Sequence, residues 1–435
     1  MANSSIGDMW ARYRSIPIVY RIGAAFVLGS VVGLIVGEPA TVLQPLGDIF
    51  LRLLSMIAVP IVIFTLLMGV RQLSPATLGK IGAQVVGLYA VSSVIAVGFG
   101  LLVANFINPG TGLTLTGGQT QQQETPNLVE TLLGIIPENP ANAIAEGNFL
   151  AIIFFVLLFG IGLVMIRDST DDESLRKGAE GIFRASETAA EAMFKMVWGV
   201  LEFGVIGIFA LMAATLAQTG AEALVSFAVL IATLAVALLA HIVLIYLVGI
   251  IGMLSGQSPI SFLVGSREAM VTALSTRSSS GTLPVTMSNA DENLRVEEGI
   301  YSFSLPLGAT INMDGTAMYM GIAAVFAANL AGVSLSIAEQ LTVVAIAVLT
   351  SIGAAGVPGV GLIILTLILT QLGLPLAVVG FVAGVDPILD RMRTMTNVTG
   401  DLAVTTLVGN WNGAVDFETG VWGDQETPSP TPTDD

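Results

Sequence analysis

The sequence predicts an all-α membrane protein, with eight transmembrane helices and two re-entrant helical hairpins arranged as inverted repeats. Three observations predict it. Of the 435 residues 54% are hydrophobic and 11% charged, with a mean hydropathy of +0.84, against a charged share of roughly 25% in soluble domains. Apolar runs of bilayer-spanning length recur at Ile18–Val36, Ile49–Val70, Val85–Ile107, Phe149–Ile166, Met196–Leu216 and Leu224–Met253. After residue 255 two further apolar stretches are each broken midway, at Ser275–Thr282 and at Ser351–Gly359.

The first run follows Arg12 and Arg14, but Met1–Ile16 is too polar for a signal peptide and lacks a cleavage pattern, so the run reads as a retained helix. Lys and Arg then fall in alternate connections: Arg12, Arg14 and Arg21, next Arg71 and Lys80, next Arg167, Arg176, Lys177 and Arg184. By the positive-inside bias those connections are cytoplasmic, as are both termini. Asn108–Gly147 has acids but no base and is expected outside as a flexible loop. The acidic stretch 411–435 is expected to be a disordered tail.

Each broken stretch has arms of roughly 10 to 17 residues, too short to span comfortably, so both read as hairpins whose tips meet inside the membrane. Arg267 and Arg295 bracket the first on the cytoplasmic side, whereas only Glu339 flanks the second, which enters from outside. A long helix with polar residues follows each: Ile300–Leu330, interrupted at Asn312–Thr316, and Leu376–Val408. Interrupted segments at matching positions of two inverted halves point to a transporter's binding site. The expected division is 1–255 for helices 1 to 6, and 256–410 for the hairpins and helices 7 and 8.

In the last helix Asp386, Asp390, Arg393, Asn397 and Asp401 share one face, spaced four, three, four and four apart. Ionisable groups at membrane depth cost roughly 2.5–3.5 kcal/mol each, so the stripe must meet a partner, an ion or a watery cavity. An internal salt-bridge ladder accounts for Arg393 with Asp390 but leaves Asp401 and Asn397 wanting a cation. A guanidinium fork suits a carboxylate and cannot discharge, so Arg393 is expected to take a substrate's side-chain carboxylate and Asp390 its ammonium, with Thr394 and Asn397 orienting it. Asn312-Met-Asp-Gly-Thr316 supplies an amide oxygen, a carboxylate, a hydroxyl and freed carbonyls, the chemistry of a hard cation. His241, the single histidine, reads as a packing residue or a proton relay.

The absence of cysteine excludes disulfides, thiolate metal sites and Cys nucleophiles. A net charge of −16, with 32 acids against 16 bases, disfavours nucleic acid as a partner and fits either acidic loops or a halophile's surface. Ser278-Ser-Ser280 lacks the Gly-x-Ser-x-Gly elbow and a base, so no enzyme is expected.

Thr276-Arg-Ser-Ser-Ser-Gly-Thr-Leu-Pro284, Asn312–Thr316, Ala355-Gly-Val-Pro-Gly359 and Asp390–Asp401, with Met56–Pro60, Tyr89, Ser92 and Ser93, resemble the glutamate transporter family of dicarboxylate/amino acid:cation symporters, nearest its archaeal sodium–aspartate members. The resemblance runs from about residue 17 to 410. It implies a homotrimer in the plasma membrane in which helices 1, 2, 4 and 5 form a scaffold and helices 3, 6, 7, 8 with both hairpins carry an acidic amino acid, aspartate or glutamate, by an elevator movement. It places substrate at the hairpin tip Arg277, Ser278, Ser279 and Ser280, at Val357 and Gly361, and at Thr316, Asp390, Arg393, Thr394 and Asn397. About three sodium ions are implied: one at Gly308, Asn312, Asn397 and Asp401, one at Thr310, Ser351, Ile352 and Ala354, and one at Tyr89, Ser92, Ser93, Asn312 and Asp314. The chain departs from the family in carrying both Arg277 and Arg391, and in Met392 beside Asp390. Proton-coupled uptake of a C4-dicarboxylate and passive anion conduction are the alternatives.

Overall fold

A computed structural model describes residues 12–71, 79–113, 133–351 and 359–423. Its helices in chain order are α1 (Ile18–Val36), α2 (Gln44–Arg71), α3 (Lys80–Ile107), α4 (Pro140–Glu146), α5 (Phe149–Ser169), α6 (Glu173–Thr219) and α7 (Glu222–His241). They continue as α8 (Pro259–Thr276), α9 (Ser279–Ser288), α10 (Glu298–Ile311), α11 (Asp314–Leu330), α12 (Ile337–Ser351), α13 (Val360–Gln371) and α14 (Ala377–Trp411). Five stretches are long and apolar enough to cross a membrane: Glu38–Arg71, Lys80–Ile107, Phe149–Ser169, Glu173–Thr219 and Glu222–Leu254. The protein is a multi-pass, helical membrane protein.

Several boundaries differ from expectation for local reasons. Arg176, Lys177 and Arg184, expected in a connection, lie on the first turns of the 47-residue α6. Its start is fixed by Asp172, whose carboxylate accepts from Ser174 N and Leu175 N, and its exposed turns are laced by Lys177–Glu173 and Arg184–Glu180 pairs four residues apart. The expected external loop contains α4, capped by Asn139 with Pro140 in the first turn. Beyond His241, α7 runs on as a π-helix over Ile242–Leu254, which no residue type in that run announces.

Hairpin 1 folds as α8 and α9 around a two-residue break. Arg277 takes the left-handed conformation at the end of α8, and Ser278 restarts the chain by accepting from Gly281 N. Asn289 Oδ1 accepts from Ala269 N at 2.9 Å, and Asn293 Nδ2 donates to Gly265 O at 3.1 Å, so two side-chain amides stitch the arms. The second hairpin is α12 and α13; its expected break at residues 352–358 lies outside the described residues.

The tail does not begin at 411. Residues 412–423 pack against the base of hairpin 1: Val415 bridges Val296, Asp416 N donates to Arg295 O, and Trp422 Nε1 donates to Leu294 O. Asp416 and Glu418, set among the apolar Val415, Val421 and Trp422 that make this contact, concealed it in the sequence.

Two apolar clusters form the interior. Close helix packing rests on absent side chains: a Cβ on Gly29 or Gly33 of α1 would lie 2.4 Å from a carbonyl oxygen of α6. In the same way Gly380 and Gly384 seat α14 against Leu211 of α6 and Phe26 of α1. Asn289→Ala should remove the buried cross-arm hydrogen bond to Ala269 N–H and cost about 0.5–1.5 kcal/mol. The expected result is a lower thermal unfolding midpoint of the detergent-solubilised protein, and an unchanged midpoint would show that the arms hold without the stitch.

Candidate functional site

Helix α10 stops at Ile311 because Asn312 and Met313 leave helical backbone geometry, and α11 restarts at Asp314. A helix restarting inside the protein exposes N–H groups that need partners. Asn397 of α14 supplies one: its Oδ1 accepts from Gly315 N at 2.7 Å, while its Nδ2 donates to Met313 Sδ at 3.1 Å. The side chain expected to orient a substrate therefore also closes the helix break. Gly315 permits the approach, since a Cβ there would lie 2.5 Å from Arg393 O.

The acidic and basic stripe of α14 is buried as one cluster. Arg393, 1% exposed, donates through Nη2 to Asp386 and to Asp390, both at 2.8 Å, and its guanidinium carbon lies 4.2 Å from the Tyr319 ring centroid. The ladder expected between Arg393 and Asp390 thus exists, with Asp386 as a second acceptor. It does not exhaust the polar groups. Arg393 Nε and Nη1, Asp390 Oδ2, Ser279 Oγ, Asn312 Oδ1 and Tyr319 Oη are all buried without a hydrogen-bond partner among the described residues. Orphaned polar atoms cost about 1–3 kcal/mol each, more when charged, so this concentration in one place calls for a ligand.

The surroundings converge on the same cluster. Arg277 Nη1 reaches within 4.0 Å of Asp390 Oδ2 from the tip of hairpin 1. Ser279 is buried there, Ser278 is committed as the cap, and Ser280 is exposed. From α13, Gly361 lies against the guanidinium, where a Cβ would sit 2.9 Å from Nη1. Thr394 donates to Asp390 O, Thr316 is half-buried, and Arg391 turns away to donate to Pro387 O. A narrow cleft of about 20 Å³ between Ile18, Trp198 and Leu201 on one side and Arg277, Asp386 and Pro387 on the other adjoins the cluster.

Below the break lie two carboxylates with no Lys or Arg partner among the described residues. Asp401 Oδ1 accepts from Asn312 Nδ2 at 2.8 Å, and a Cβ on Gly308 would meet that oxygen at 2.5 Å and Tyr89 Oη at 2.6 Å. Tyr89 Oη itself donates to Ser304 O. Asp314 accepts from Ser93 at 2.8 Å, from Tyr246 at 2.7 Å and, closely, from Ser92. Of the middle set, Thr310 Oγ1 donates to Leu307 O, Ser351 ends α12 with its side chain undescribed, and Ile352, Ala354 and Val357 lie outside the described residues.

The profile described as "Sodium:dicarboxylate symporter family" matches residues 18–411, nearly the whole described chain. The chain belongs to the sodium:dicarboxylate symporter family. This family is made of transporters, and the chain is not an enzyme. It is 33% identical to a proton/sodium-glutamate symport protein of Geobacillus stearothermophilus, over 94% of this chain and 97% of the relative. It is 35% identical to a proton/glutamate-aspartate symporter of Escherichia coli, over 86% of each, and 31% identical to a C4-dicarboxylate transport protein of Leptothrix cholodnii, over 93% and 90%.

Two residues of this symporter's site escaped sequence reasoning. Tyr319 and Tyr246 look like ordinary apolar-helix aromatics, and nothing in their neighbourhood marks the Arg393 and Asp314 contacts that packing brings to them. Gly315→Ala should force α11 and α14 apart, because backbone atoms cannot yield as a flexible side chain does; overpacking of this kind costs about 1–3 kcal/mol. The unfolding midpoint should fall, while Gly98→Ala, with nothing within 4 Å, leaves it unchanged or higher. Equal midpoints in the two variants would contradict the close approach.

Proposed function

We propose that the chain is a secondary active symporter that couples inward sodium movement to uptake of L-aspartate and/or L-glutamate. The observation that carries this reading is the set of orphaned atoms around Arg393 and Asp390: buried donors on a fixed cation, and a buried acceptor on a carboxylate, side by side. A dicarboxylic amino acid matches both. Its side-chain carboxylate takes guanidinium donors of Arg393, and its ammonium takes Asp390 Oδ2. Ser279, Val357 and Gly361 of the hairpins, with Thr316, Thr394 and Asn397, complete the pocket, and Arg277 adds positive potential at the tip.

The cations are cargo, and the residues fit them. Asp401 with the carbonyls of Gly308, Asn312 and Asn397 gives one all-oxygen site, and the unpartnered Asn312 Oδ1 lies at the same break. Asp314 with Ser92, Ser93, Tyr89 and Asn312 gives another; Thr310, Ser351, Ile352 and Ala354 give the third. Oxygen ligands from a carboxylate, hydroxyls and carbonyls suit a hard monovalent ion. Ions at the Asp401 and Asp314 sets each offset an unpaired acid at membrane depth, so substrate and cation stabilise the same closed arrangement of the break.

Movement follows an elevator course. Helices 1, 2, 4 and 5 of the expected eight-helix topology form the scaffold, and helices 3, 6, 7 and 8 with both hairpins move, hairpin 2 acting as the outer gate. The protein works as a homotrimer in the plasma membrane with cytoplasmic termini. In that movement α14 would have to slide past α1 and α6, where Phe26 and Leu211 are seated against Gly384 and Gly380.

Proton-coupled uptake of a C4-dicarboxylate is the second reading. It is favoured by the names of some relatives, and by His241, whose ring nitrogens have no hydrogen-bond partner among the described residues and lie beside Asp314. Asp390 Oδ2 weighs against it, because a dicarboxylate brings no ammonium to that acid. In proteoliposomes an inward sodium gradient should drive saturable uptake of labelled aspartate, a proton gradient alone should not, and Asp401→Asn should reduce uptake at least about tenfold, the loss of one charged interaction. Proton-driven succinate uptake without sodium dependence would replace the first reading by the second.

A further inference from the structure

Tyr246 lies on helix 6 of the expected topology, outside every cation set implied above, yet its hydroxyl donates to Asp314 Oδ2 at 2.7 Å in a fully buried position. It reaches that carboxylate because of the backbone that carries it. In an α-helix residues five apart point about 140° away from each other. The π-helix that begins at Ile242 closes i to i+5 turns and so stacks His241 and Tyr246 on one face, with ring centroids 4.8 Å apart at 84°. Both then face Asp314, His241 Nε2 at 3.9 Å. The histidine gains no hydrogen bond from this arrangement, since both its nitrogens lack partners among the described residues, whereas the tyrosine gains a carboxyl acceptor.

Helix α14 leaves room for the same hydroxyl. A Cβ on Gly400 would stand 2.6 Å from Tyr246 Oη, 2.8 Å from its Cζ and 3.1 Å from Asn312 Nδ2. The phenol is therefore wedged between Asp314 and the backbone next to Asp401, whose carboxylate holds Asn312. Two independent features, an uncommon helix geometry on one side and a missing side chain on the other, serve one hydrogen bond.

We infer that Tyr246 is a positioning residue of the Asp314 cation site. This rests on the cation-coupled reading above. Together with Ser92 and Ser93, its O–H fixes the rotation of the Asp314 carboxylate, so that the lone pairs left over are aimed before the ion arrives and little ordering remains to be done on binding. Its seat against Gly400 also ties that carboxylate to the helix carrying Asp401 and Arg393, so an ion at Asp314 is sensed at the substrate helix.

The test measures thermal stabilisation of the purified full-length protein by sodium, with potassium chloride holding ionic strength constant, in wild type, Tyr246→Phe and Gly400→Ala. Removing one hydrogen bond to a charged acceptor should raise the sodium concentration for half-maximal stabilisation by about tenfold in Tyr246→Phe. Gly400→Ala should shift it in the same direction by displacing the phenol. Half-saturation for L-aspartate, measured at saturating sodium, should stay at the wild-type value in Tyr246→Phe. An unchanged sodium midpoint in a folded Tyr246→Phe protein overturns the inference, as does a loss of aspartate affinity at saturating sodium equal to the loss of sodium affinity. A wild type that sodium stabilises no more than potassium does overturns the sodium reading itself and the inference with it.

Discussion

Everything in this structure turns on ionisable groups that water cannot reach. Asp314, Asp386, Asp390, Arg393 and Asp401 are each no more than 8% exposed, and a single guanidinium serves two of the four acids. Burying a charge is costly unless it is paired and hydrogen-bonded, and the protein as it stands leaves that requirement partly unmet. The unmet part has a definite composition: donors at Arg393, an acceptor at Asp390, and two acids held only by neutral hydrogen-bond donors. The proposed solute, both anion and ammonium, would complete it together with small cations.

The fold supplies this arrangement through interruptions of helices rather than through loops. A break at Asn312 and Met313 delivers carbonyls and a fresh helix start into the interior, and Asn397 closes it from the neighbouring helix. Glycines decide how near the elements come. Gly308, Gly315, Gly361 and Gly400 each face a functional side chain or backbone at a distance that a methyl group would forbid. The restraint on substitution at these positions is steric, and it is as binding as the chemistry of the charged residues beside them.

Much of this was legible in the sequence because hydropathy and charge spacing report it directly. A stripe at helical spacing in an apolar helix forces a common face, and polar residues interrupting an apolar stretch mark a helix break; the break between α8 and α9, the break before α11, and the buried stripe of α14 correspond to those readings. What stayed hidden depends on long-range packing. Asp386 sat on the stripe, but its grip on Arg393 depends on rotamers. Tyr246 gave no signal, because a π-helix has no residue signature and its partner lies 68 positions away. The docking of 412–423 was masked by acidic neighbours, although Val415, Val421 and Trp422 carry it.

The central claim is that substrate and cation complete one buried constellation, so their binding must be coupled, each lowering the dissociation constant of the other. Calorimetric titration of L-aspartate into the solubilised protein over a series of sodium concentrations at constant ionic strength measures this directly. The account predicts that the apparent dissociation constant falls steeply as sodium rises, and levels off once the cation sites fill. A dissociation constant independent of sodium would mean that the two ligands do not share the break at Asn312, and would contradict the account.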